Sequence, residues 1–168
     1  MKRHFCLRRL LVSAVVFSLM LLQVANADGT VNLGSFDLVD SGKHLDWGGT
    51  TNYYNQLLDA INTWNNYKSG VIRKDKFTTI KDVSISDVYT DTVTIVTVTS
   101  SGKIKFNQRV IDTYTYEQKV NACLTAIGLA LGLGTTSVST DVMYHGKCAT
   151  TALSVNDKAS YDAAYKKY

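Results

Sequence analysis

Between residues 50 and 67 the large apolar positions Tyr54, Leu57, Leu58, Ile61 and Trp64 recur at helical spacing, which predicts an amphipathic helix lying on a sheet. Thr50 or Thr51 offers an N-cap and Ser69-Gly70 a stop. The period then changes. Residues 82–88 alternate polar and apolar side chains apart from the pair Ser86-Asp87, as a half-buried strand does. Residues 92–99 are almost all Thr, Val and Ile, strong strand formers, and Ser101-Gly102 turns the chain into a further strand over 103–107. Short strands over 43–47, stopped by Gly48-Gly49, and over 71–73 bring the set to about five. Helical spacing returns over 116–131 through Val120, Cys123, Leu124, Ile127 and Leu131. A last helix opens at Ser154-Val155-Asn156-Asp157, a capping-box variant, and carries Ala159, Tyr161, Ala164 and Tyr165. Three helices around a small mixed, twisted sheet predict an α+β domain.

The helix over 116–131 runs into Thr125-Ala126-Ile127-Gly128-Leu129-Ala130-Leu131-Gly132-Leu133-Gly134-Thr135, and Asp141-Val142-Met143-Tyr144 follows soon after. This stretch resembles the active-site helix and Met-turn of the metzincin zinc endopeptidases, most closely their matrixin-like branch. That family reads H-E-x-x-H-x-x-G-x-x-H, then a turn carrying a methionine. Gly132 falls on its glycine and Met143 on its methionine, and the run 130–134 matches a common matrixin filling. Ala60-Ile61-Asn62-Thr63-Trp64-Asn65 in the first helix and the capped last helix are similar to the same family. The resemblance thus covers nearly all of residues 28–168 and implies one domain with the matrixin-like catalytic fold.

It also implies a site whose chemistry has gone. The histidine positions hold Thr125, Leu129 and Thr135, and the general-base position holds Ala126. Positions 125 and 129 share a helix face, and a glycine at 132 lets the chain leave the helix sharply, so that 135 returns as third ligand. Leucine offers no lone pair, a neutral threonine hydroxyl is a poor zinc ligand, and alanine accepts no proton. No catalytic residue, metal ligand or cofactor is expected, although the family's cofactor is zinc. Gly132, Met143 and Tyr144 remain as motif scaffold. In the family the strand matching 92–99 is an edge that pairs with substrate backbone, which makes Thr94, Val96 and Val98 the expected peptide-binding edge. Residues 144–151 would wall its specificity pocket.

Export changes the reading of charge. Residues 1–27 have the form of a signal peptide: Lys2, Arg3, Arg8 and Arg9, an apolar run over 10–22, and an Ala25-Asn26-Ala27 cleavage site. The run is short of the about 20 residues that span a bilayer. Those four are the only charged residues before Asp28, and of 18 Lys plus Arg they leave 14, against 14 Asp plus Glu. A neutral mature chain argues against a nucleic-acid or membrane surface as the main function. Cys123 and Cys148 then remain, and spacing leaves open a disulfide or two thiols. His44 alternates with Leu45 and Trp47 and reads as a surface or hydrogen-bonded strand residue; a metal site of Cys123, Cys148, His44 and His145 matches no known spacing.

Two functions fit. One is a secreted pseudoprotease that binds a peptide or protein in the former substrate groove, or regulates through it. The other is an extracellular zinc endopeptidase with a metal site of unrecognised form. The joint loss of all four positions favours the first.

Overall fold

The computed structural model describes residues 28–78 and 80–168; the expected signal peptide lies outside them. Five strands form one mixed sheet: β1 (Leu45–Gly49), β2 (Ile72–Lys74), β3 (Val83–Val88), β4 (Val96–Thr99) and β5 (Lys103–Asn107). Their order is β2-β1-β3-β5-β4. β1 runs parallel to β2 and β3, and β3 parallel to β5; only β4 is antiparallel, against β5. β4 is therefore an edge. The helices are α1 (Tyr54–Tyr67), α2 (Gln108–Ile111), α3 (Tyr116–Ala130) and α4 (Val155–Tyr165). The architecture is α+β, with four helices where the pattern predicts three; the addition is the single turn α2, directly after β5. Among the described residues no helix is long and apolar enough to cross a membrane.

One core joins the layers. Leu45, Trp47, Val83, Ile85, Ile104 and Phe106 from the sheet meet Leu57, Ile61 and Trp64 of α1, Leu124 and Ile127 of α3, and Tyr161 of α4. Trp64 sits where the helices converge. Its indole Nε1 donates to the Leu124 carbonyl at 3.1 Å, and its ring meets Tyr161 edge-on at 5.4 Å, the preferred aromatic geometry.

Several boundaries differ from the sequence reading. Gly48 and Gly49 lie inside β1, paired with Ser84 and Ile85. Gly49 has φ +111°, and a Cβ there would collide with the Ile85 backbone, so these glycines serve close strand approach. α1 starts at Tyr54, later than expected. The Thr51 hydroxyl accepts from Tyr53 N at 3.2 Å and donates to Asp87 at 2.6 Å, which holds the preceding turn outside the helix. Accordingly Tyr53 is buried and Tyr54 exposed.

β4 is shorter than the predicted 92–99. Asn107, buried at the end of β5, donates through Nδ2 to the carbonyls of Thr92 (3.0 Å) and Thr94 (3.1 Å), and its Oδ1 accepts from Thr90 N at 3.3 Å. A side chain thus replaces the strand ladder over 90–94, and at Ile95 the backbone pairing with Asn107 begins.

α3 is bounded sharply. Thr115 and Gln118 form a reciprocal capping box at its start. At its end Leu133 N donates to Gly128 O (2.9 Å) and Gly132 N to Leu129 O (3.1 Å), a Schellman motif with Gly132 at φ +84°. The lead-in then wraps this end: Gly34 N bonds Gly132 O and Gly134 N bonds Asn32 O, at 2.8 and 3.0 Å.

Candidate functional site

α3 turns one face away from the core. Gln118, Asn121, Ala122, Thr125 and Leu129 line a cleft of about 240 Å³ whose other walls are residues 93–96, Tyr114, Thr135 and residues 144–148. The three positions compared with zinc ligands, Thr125, Leu129 and Thr135, thus open on one cleft under the sheet edge. Of the expected edge residues, Thr94 and Val96 line it, while Val98 packs partly buried against the core. Ala126 does not line the cleft and is fully buried.

The floor is tied by buried polar bonds. The loop carrying Met143 crosses beneath α3, and a Cβ on Gly128 would run into the Met143 sulfur; glycine here admits methionine. Asp157, itself buried, accepts from Val142 N (3.0 Å) and Met143 N (3.3 Å). The Val142 carbonyl accepts from Thr125 Oγ1 at 2.9 Å and Asn121 Nδ2 at 3.2 Å. Asn121 Nδ2 also donates to Thr150 O at 2.8 Å. Thr136 N donates to Met143 O and His145 N to Thr136 O, at 2.9 and 3.0 Å. Buried Asp141 accepts from Thr136 Oγ1 at 2.9 Å and from Asn156 Nδ2. Buried carboxylates with several donors each are well satisfied.

These side chains do not fit zinc. Leu129 has no donor atom, and the Thr125 hydroxyl faces the Val142 carbonyl. Among the described residues Cys123 and Cys148 are both free thiols. Cys123 is buried on α3, where burial and then the Asp87 carboxylate push its thiol well above the ordinary range. Cys148 is half-buried on the cleft wall, its thiol 3.0 Å from Thr150 Oγ1. His44 lies 3.7 Å from Asp40 and is half-exposed.

Among the described residues one group of acids is close enough to share an ion: Asp40, Asp46 and Asp82. Arg73 already supplies its cation, with Nε and Nη2 at 2.9 and 2.7 Å from the two oxygens of Asp46. Burial raises the Asp82 carboxyl above its usual value despite the Asp46 N–H it accepts. The cluster braces β1 and β2 and the start of β3.

No family model matches the chain, and neither does any curated protein. Sequence reasoning passed over Asn107, Asn121 and Asp157 as site-building residues. Asp157 could have been noticed, because a capping-box acid one helix away from the turn is an available acceptor. Asn107 and Asn121 carry no local signal.

Proposed function

We propose that this is an exported, matrixin-like metzincin domain without its metal site, a pseudoprotease that binds an extended segment of peptide or protein in the cleft and does not cut it. The observation carrying this reading is that positions 125, 129 and 135 surround one cleft beneath an antiparallel edge strand, yet offer no imidazole. Strand order supports it too, since β4 leaves a free row of backbone groups beside the cleft, and extended peptides add to such edges. Size is consistent: about 240 Å³ is below the ~300–1,000 Å³ typical of small-molecule sites and suits one apolar side chain. Burying that side chain contributes about 1.5–3 kcal/mol, and backbone pairing adds the rest. Catalysis would need a base and a Lewis acid, and neither Ala126 nor Thr125 supplies them.

Incubating the purified domain with extended peptides tests this. Amide resonances of residues 94–99 should shift on binding, and no peptide should be hydrolysed with or without added zinc. Zinc-dependent cleavage abolished by a chelator would overturn the proposal.

A further inference from the structure

The cleft lining carries one sign of charge. Val93, Ile95, Val96, Ala122 and Leu129 make it apolar, no Asp or Glu lines it, and Lys147 does. Lys147 belongs to none of the ion pairs among the described residues. Instead its ammonium lies 4.6 Å from the centroid of the Tyr114 ring, folded over another residue of the cleft lining. Next to it, Gly146 lies close under the Tyr144 ring, where a Cβ would stand 2.7 Å from Tyr144 Cε1.

Several other polar groups of the lining are already committed. Asn121 Nδ2 serves Val142 and Thr150, and the Thr125 hydroxyl serves Val142. Gln118 Oε1 accepts from Thr115 N at 3.0 Å, and His145 Nδ1 lies 2.8 Å from the Thr136 carbonyl, so that nitrogen carries the proton. Lys147 is exposed at the rim of this apolar, acid-free wall, where an ammonium with no acidic partner attracts an anion.

We propose that the cleft selects a peptide carrying a carboxylate next to its apolar anchor, and that Lys147 is the residue that reads it. This rests on the peptide-binding reading above. A charge-assisted hydrogen bond to a carboxylate is stronger than the cation–π contact it replaces. The same ammonium disfavours a peptide with Lys or Arg at that place, which gives selectivity by repulsion as well as by attraction. Two sources share this chemistry: an Asp or Glu side chain, and the free C-terminus of a peptide.

The test is an array of randomised extended peptides with one fixed Leu. The position after Leu is varied through Glu, Gln and Lys with amidated ends, and one further set ends in a free carboxylate directly after Leu. Binding to the chain from Asp28 is measured at low and high salt, for wild type and for Lys147→Met, which removes the ammonium and keeps an unbranched side chain. Glu peptides should bind about two- to fivefold tighter than Gln peptides at low salt, as an exposed ion pair allows, and Lys peptides weakest. Salt and Lys147→Met should each remove the difference between Glu and Gln peptides. Strongest binding by the free-carboxylate set would assign the C-terminus as the source, and strongest binding by the amidated Glu set the side chain. Equal binding of Glu, Gln and Lys peptides, or an equal loss of all three in Lys147→Met, would overturn the role of Lys147 and leave peptide binding intact. No binding by any set would overturn both.

Discussion

The floor and the roof of the cleft are held in opposite ways. Beneath α3, the Met143 loop is fixed by Asp157, Asn121, Thr125 and Thr136, and Val142, Met143 and Asp157 are all nearly inaccessible to water. Above the cleft, β4 has four residues and one strand neighbour, and the segment before it is held chiefly by the Asn107 side chain and by Arg109 at Asp91. The floor has many mutually dependent bonds; the roof has few. A template with a rigid base and an adaptable edge suits binding of a segment that itself completes the sheet.

The sharpest break in that contrast comes from Ala126→Glu. Ala126 is fully buried and faces the packed side of α3, so a carboxylate there lacks both space and partners. We expect a loss above about 4 kcal/mol, or failure to fold. Leu129→His, on the cleft face, should cost only about 1–2 kcal/mol because its site is partly open to water. Urea unfolding of both variants measures the difference; similar costs would mean that the two faces of α3 are not distinct.

Asp157→Ala should come next, at about 3–4 kcal/mol, since it leaves Val142 N and Met143 N buried without an acceptor. Asn107→Ala should cost about 1–2 kcal/mol. Its signature is local: hydrogen exchange should quicken over residues 90–99 and stay unchanged over 136–145. An equal cost for Asp157→Ala and Asn107→Ala, with exchange quickening everywhere, would erase the distinction between floor and roof.

Periodicity revealed most of the frame. β5 and the start of α3 fall where alternation and helical spacing place them, and the Ser154–Asp157 cap forms as its spacing suggests. What escaped was set by long-range bonds. Thr92 and Thr94 read as strand, but their carbonyls go to Asn107, a partner distant in sequence. Gly48 and Gly49 read as a stop, but they permit close approach of β3. Within the site, the line-up of 125, 129 and 135 on one cleft follows from helix geometry plus a glycine exit, so the motif made it legible. The burial of Ala126 and the unpaired charge of Lys147 depend on what packs opposite, which local pattern does not encode.

On the proposed reading, the backbone of 125–135 keeps the form of a metal site while its side chains have lost the ligands. Zinc titration of the triple variant Thr125→His, Leu129→His, Thr135→His tests it most directly. The Val142 carbonyl keeps its bond from Asn121, so the floor should survive the first substitution. We expect one zinc per chain, a melting temperature that rises with zinc and falls back with chelator, and no such response in the wild type. A triple variant that folds like the wild type and ignores zinc would contradict it.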